Sequence, residues 1–151
     1  MEQEIPFWNG RIETDLFHTS FNDLIQAVPD PTSLFGVSAG NTGKATSDGI
    51  EIIVSFEPIK GFMTTSGNYT FMQTHDKSVS GAPLLRRPKH AGGVDANFRL
   101  MKKLNLNLNA QFVGNRFDST FSFTRPAREI NPGYGILGMM VSYDILDHWQ
   151  I

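Results

Sequence analysis

A chain of 151 residues, with 13 Lys+Arg against 15 Asp+Glu and a net charge of -2, has the size of one domain and lacks the cationic surplus that duplex nucleic acid demands. The absence of cysteine removes disulfide scaffolds, thiolate metal centres and cysteine nucleophiles. No apolar run approaches the roughly 18 residues of a transmembrane helix, and the acidic start, Met1 to Asn9, lacks the apolar segment of a signal peptide.

Taken in chain order, the segments read as strands. Arg11 to Ile25 is rich in Phe and Thr and is the first. A polar, Gly- and Ser-rich stretch from about Pro29 to Thr46 reads as a long loop. In the next strand Ile50, Ile52, Val54 and Phe56 share one face and Glu51, Ser55 and Glu57 the other, with Ile53 out of pattern. Pro58 to Gly61 is a short turn. In Phe62 to Asp76, Met63, Tyr69 and Phe71 oppose Thr64, Ser66, Asn68 and Thr70. Asp76 to Lys89 is a second long loop. Val94, Ala96, Phe98 and Leu100 then alternate with Asp95, Asn97 and Arg99, and Met101-Lys102-Lys103 turns the chain. The clearest alternation is Leu104, Leu106, Leu108, Ala110 and Phe112 against Asn105, Asn107, Asn109 and Gln111, a two-faced strand that a helix would smear around its axis. Gly114 to Pro132 is the third long loop. Leu137, Met139, Val141, Tyr143 and Ile145 form the last apolar face, and Asp147-His148 the last short turn.

Short turns and long loops alternate, which predicts an antiparallel up-and-down meander with all short turns at one end. Two of the strands run to about 14 residues, or about 45 Å, against about 5 or 6 residues in soluble sheets. An outer-membrane wall needs such lengths, and its 40% apolar share stays modest because only alternate residues meet lipid. Phe56, Phe98 and Tyr143 each stand four residues before a turn residue (Lys60, Lys102, Asp147) on the apolar parity. They are expected to form one horizontal band, with Phe71 and Phe112 roughly 20 to 25 Å above it, as in the two aromatic girdles of a barrel. The fold expected is all-β: an open sheet of about six to seven strands, part of a transmembrane β-barrel. The competing expectation is a soluble barrel or sandwich that turns the same apolar parity inward around a small ligand. A third is a small passive outer-membrane barrel, for which the strands are too few.

Ordered motifs resemble a known family. Lys44 to Glu51, Phe56-Glu57-Pro58, Gly61-Phe62 and Gly67-Asn68-Tyr69-Thr70-Phe71 resemble the barrel of TonB-dependent outer-membrane receptors. Gly81 to His90 is similar to the loop-to-strand passage GxxLxRRPxH of the cobalamin and catecholate-siderophore branches. Leu104 to Gly114 with Arg116-Phe117-Asp118 is similar to the YxGxRxD strand end, with Phe112 in the aromatic place, and Phe21 to Ile25 to the upstream strand end. The resemblance covers about residues 12 to 149. It implies a Gram-negative outer-membrane location and TonB-energised uptake of an iron-siderophore or cobalamin. The partners implied are outer-membrane lipid, the rest of the barrel, a plug domain and, through the plug, TonB. Residues 1–151 are expected to be one barrel segment without the plug, unable to insert or transport alone.

Catalysis finds little support in the residues. His18, His75, His90 and His148 show no metal-ligand spacing. There is no GxSxG, and Gly40 to Lys44 fails as a phosphate loop because Ser38 and Ala45 stand where Gly and Ser/Thr are required. No enzyme activity, metal, cofactor or nucleic-acid partner is expected. Arg86, Arg87 and Arg116 are the candidate ligand-binding residues, on a loop rim where guanidinium forks suit an anionic chelate or a lipopolysaccharide phosphate. The plainer expectation is that Arg86 and Arg87 pair with acidic residues and fix loop geometry, and that Arg116, Arg125 and Arg128, which could join a basic rim from the next long loop, are solvated loop residues.

Overall fold

The computed structural model describes residues 2–5, 8–34, 36–77, 81–120, 127–146 and 149–150. Ten strands occur among them: β1 (Glu2–Ile5), β2 (Gly10–Pro29), β3 (Val37–Ile59), β4 (Met63–Asp76), β5 (His90–Met101), β6 (Leu104–Val113), β7 (Arg116–Thr120), β8 (Ala127–Asn131), β9 (Tyr134–Leu146) and β10 (Trp149–Gln150). Eight of them make one sheet in the order β1-β2-β3-β4-β5-β6-β9-β10, and β7 and β8 form a separate hairpin. Every pairing is antiparallel, so the meander expected from the alternation of turns is present. The sheet is open, with six long strands between two short ones.

Two stretches expected as loops are partly strand. Only residues 30–36 separate β2 from β3, which pair out to Pro29↔Val37. At the tip, the Asp30 carboxylate accepts hydrogen bonds from the Thr32 amide (2.9 Å) and hydroxyl (2.6 Å), which hold its pKa below the usual carboxylate value. The long Gly114–Pro132 connection contains the β7–β8 hairpin, with Arg116 opposite Asn131. The turn expected at Asp147-His148 lies outside the described residues.

The register sorts the two faces. Rungs run Phe56–Thr65–Ala96–Leu108–Met139 and Met63–Phe98–Leu106–Val141, so the apolar parities of neighbouring strands join into one continuous oily face. The opposite face carries rungs such as Thr64–Asn97–Asn107, where Asn107 Nδ2 donates to Asp95 Oδ1 at 3.2 Å. A hollow of about 440 Å³, lined by Ser55, Thr64, Ser66, Asp95, Asn97 and Asn107 among others, marks this polar face as concave. Among the described residues nothing covers the oily face: Leu137 is 86% exposed, Leu16 81% and Met139 71%. Among the described residues, Ala45 is the sole buried apolar side chain, at 1%. The soluble alternative, which places these leucines in a dry interior, is therefore overturned.

The same register tests the aromatic band. Phe98 lies two strands beyond Phe56 and two residues nearer the short turns, and Tyr143 stands in the same relation to Phe98. An offset of one residue per strand, about 3.3 Å over about 4.8 Å, corresponds to strands tilted by about 35°, within the range of closed barrels. The three rings thus lie on one level of a tilted wall. That level falls at position 64 on β4 and 105 on β6, so Phe71 and Phe112 are each seven residues higher. At this tilt the separation is about 19 Å, just under the expected interval. Exposed Ile59, Leu100 and Ile145 extend the apolar zone two residues below the lower ring level, for a total height of about 24 Å, close to the lipid-facing band of outer-membrane barrels. Above Phe71 the same face turns polar, through His18, Asp48 and Gln73.

Close packing between strands explains one glycine in particular. Phe112 lies opposite Gly92, and a Cβ added to Gly92 would stand 2.6 Å from the Asn68 carbonyl oxygen and 2.8 Å from the Phe112 ring. At Gly138 the obstacle is the Asn109 side-chain amide, at 2.6 Å, which is free to rotate away. Gly92→Ala is expected to destabilise the folded protein by about 1–3 kcal/mol, the usual cost of overpacking. Gly138→Ala should cost less than about 1 kcal/mol, because only a side chain has to move. Urea unfolding midpoints of the two variants test this difference.

Candidate functional site: a basic cleft above the apolar band

The β4–β5 ladder stops at Phe71↔His90, and above it β4 continues to Asp76 without β5 beside it. The segment from Gly81 to Lys89 fills part of this gap. Ala82 bridges to Asp76, the Leu84 amide donates to Thr74 Oγ1 at 2.9 Å, and the Met72 amide donates to the Lys89 carbonyl at 3.0 Å. Thr74 and Asp76 are buried beneath this strap, beside Ala45, Thr46 and Ser47, in the best-packed part of the molecule.

Arg86 ties the strap to the hairpin. It has a φ of 60°, which a non-glycine residue adopts only when held. Its amide donates to the Phe117 carbonyl at 2.6 Å, and its Nε donates to Asp118 Oδ1 at 2.9 Å. Asp118 also accepts from Asn131 Nδ2 at 3.2 Å, and Arg128 donates to the Pro83 carbonyl. Arg86 is thus occupied in fixing loop geometry. Because the Arg86 side of the pair is largely exposed and Asp118 is half-buried, Asp118→Ala should lower global stability by about 1 kcal/mol. It should nonetheless speed limited proteolysis within residues 81–89, a readout that stays unchanged if the pair holds nothing in place.

Between the strap, the upper edge of β4 and the hairpin lies a cleft of about 280 Å³. Arg87, Lys89, Arg116 and His75 line it, together with Asn115, Thr74 and the apolar Met72, Pro83, Phe117 and Ile130, and among the described residues no carboxylate does. The Arg116 guanidinium lies over the Tyr134 ring at 5.5 Å, and its Nη1 is buried without a hydrogen-bond partner. Lys89 Nζ lies 5.3 Å from the centre of the Phe71 ring, on the uppermost apolar rung. Beside it, Tyr69 Oη and His90 Nδ1 are 2.7 Å apart, with the two rings stacked.

Of the three arginines singled out from the sequence, the structure brings Arg87 and Arg116 to one cleft and places Arg86 at its back, paired with Asp118. Sequence reasoning missed Lys89 and His75 as lining groups. Lys89 adjoins the arginine pair, so its nearness was the available signal. His75 had none, because only the ladder's stopping point brings it to the cleft. Arg125, expected on the same rim, lies outside the described residues.

Comparison with known proteins adds the family. The sequence model described as TonB dependent receptor-like, beta-barrel matches residues 4–151. A search of curated proteins found no match. Among solved structures, the ferripyoverdine receptor of the Pseudomonas aeruginosa outer membrane is similar at a TM-score of 0.70 and 16% identity, over 97% of this chain and 20% of its own. The ferric yersiniabactin uptake receptor of Yersinia pestis is similar at 0.69 and 15%, over 93% and 21%. The ferric-catecholate import receptor of E. coli K12 is similar at 0.63 and 17%, over 91% and 19%. The chain spans about a fifth of the length of these receptors. With the uncovered oily face, the tilted open meander and a family match along nearly the whole chain, this protein belongs to the TonB-dependent receptor-like β-barrel family.

Proposed function

We propose that residues 1–151 are one segment of the barrel wall of a Gram-negative outer-membrane receptor that takes up a scarce metal chelate, with energy delivered by TonB to a plug supplied by the rest of the protein. The observation that carries this reading is the continuous, uncovered apolar face about 24 Å high, bounded by aromatic levels, with a polar concave face behind it. Such a wall does no covalent chemistry. It holds the barrel in lipid and presents loops to the outside. Ferric chelates are the favoured cargo, because the named structural neighbours are receptors for ferripyoverdine, ferric yersiniabactin and ferric catecholates. Cobalamin is the second cargo class, supported by the Gly81–His90 motif. Arg86, Arg87 and Arg116 belong to the loop rim, Arg86 holding its shape and the other two offering positive charge.

The test is growth of a strain deleted for the full-length gene. Under iron limitation, single ferric siderophores are supplied in turn; in a separate arm, cobalamin is limiting. Loss of growth on one chelate, restored by the intact gene, is the expected result. Undiminished growth on every ferric siderophore and on cobalamin would overturn the proposal.

A further inference from the structure

We infer that the two short turns at the foot of β3 to β6 form a docking site for an anionic phospholipid of the periplasmic leaflet, the end at which outer-membrane barrels carry their short turns. The site joins an apolar shelf to a cationic rim. Phe62, in the β3–β4 turn, is exposed, and its ring packs edge-on against Phe98, with centroids 6.1 Å apart. Phe98 belongs to the lower ring level of the oily face, in register with Met63 and Leu106. The Arg99 amide donates to the Phe62 carbonyl at 2.8 Å, which fastens the turn to β5. Exposed Ile59, Leu100 and Met101 extend the shelf to the last residues before the turns. Lys60 follows Ile59, and Lys102 and Lys103 follow Met101, all three exposed. Lys60 and Lys102 each stand four residues past a ring of the lower level, Phe56 and Phe98, so they share one height. Their turns lie two strand intervals apart, or about 10 Å, within reach of a common phosphate for two flexible stems.

Among the described residues no carboxylate forms an ion pair with any of the three lysines. The acids at this end are placed elsewhere. The Glu57 carboxylate accepts from the Gly61 amide and shares a cleft of about 80 Å³ with Arg99 and with Thr64 and Asn97 of the polar face. Asp144 has the polar parity of β9, and its amide donates to the Lys103 carbonyl at 2.9 Å. The rim is thus left cationic, and each lysine at a membrane surface is drawn to anionic headgroups. The shelf beside it decides the source. A soluble phosphate would meet the lysines alone, whereas a phospholipid places its phosphate between them and lays its acyl chains along Phe62, Phe98 and Leu100. This inference rests on the barrel-wall reading and not on the imported solute, so the growth test and the lipid test fail separately.

The test uses the full-length receptor in nanodiscs of mixed phosphatidylethanolamine and phosphatidylglycerol, with the lipids that stay bound on release counted by native mass spectrometry. The variants are Lys60→Gln/Lys102→Gln/Lys103→Gln, Lys102→Gln alone, Phe62→Ala and, as a control at the opposite end of the wall, Lys89→Gln. Heat-modifiable gel mobility checks that each is folded, and the single Lys102 variant stays readable if the triple one is not. The wild type is expected to retain phosphatidylglycerol in preference to phosphatidylethanolamine. That preference should fall at least about tenfold in the triple variant and about fivefold in Lys102→Gln. It should fall by less in Phe62→Ala and stay unchanged in Lys89→Gln. No preference in the wild type, an equal preference in the triple variant, or an equal loss in Lys89→Gln overturns the proposal. So does indifference to Phe62→Ala, or displacement of the lipid by glycerol 3-phosphate in solution, because either would mean that charge alone is recognised.

Discussion

Replacing Leu108 by arginine is expected to cripple assembly of the full-length receptor, while the same change one residue earlier, Asn107→Arg, should be tolerated. Leu108 is partly exposed on the oily face and sits near mid-height, between the ring level at position 105 of β6 and Phe112. A guanidinium there must be carried into hydrocarbon, at a cost of about 2–4 kcal/mol near the midplane. Asn107 points to the concave face, within hydrogen-bond reach of the Asp95 carboxylate. An arginine there gains an acidic neighbour in a watery setting, so its effect should stay within about 1 kcal/mol. The heat-modifiable gel shift of outer-membrane extracts reports the folded fraction, and the urea midpoint of purified protein gives the energy. Equal damage from both substitutions would mean that lipid does not lie on the leucine side.

That contrast rests on a feature the sequence displays openly. In β6 two media meet the two faces, so every second residue is selected for a different solvent, and the strand expected at Leu104–Phe112 is found at Leu104–Val113. The same logic located β5 and β9 and the level of Phe56, Phe98 and Tyr143. It failed where the sequence is polar at both parities. Residues 37–46 carry Ser, Gly, Asn and Thr and read as loop, yet their backbone pairs with β2 at Ala27↔Ala39, Gln26↔Gly40 and Ile25↔Asn41. A ladder of amide hydrogen bonds needs no apolar side chains, so nothing periodic marks it. The β7–β8 hairpin escaped notice for the same reason. At the candidate site, Arg86-Arg87 was legible as a charged loop-to-strand passage. That one of the two neighbours would turn to Asp118, 32 residues on, and the other to the cleft depends on the left-handed turn at Arg86 and on the hairpin's position. Neither is written in local composition.

Residues 1–151 prepared by themselves are expected neither to insert into bilayers nor to stay soluble. Beyond Glu13, β2 has no strand on its outer edge among the described residues, and β9 is met on its far side only at Asp144 and Leu146. Along each edge, alternate residues aim N–H and C=O groups sideways. On the order of ten such groups fall within the apolar zone, and each unpaired group in hydrocarbon costs several kcal/mol. The sum exceeds the stability of any domain of this size. Water offers no refuge, because the apolar face that lipid should cover is bare and the buried interior is nearly devoid of hydrocarbon. Edges of this length in water are templates for pairing between copies. Dilution of the urea-unfolded segment into phospholipid vesicles should therefore give sedimenting aggregates with no heat-modifiable monomer and no protease-protected core. The full-length receptor treated identically should yield both. If the segment alone produced a protected, heat-modifiable monomer, its two edges would have to meet, and the wall would be a small closed barrel instead of an arc of a larger one.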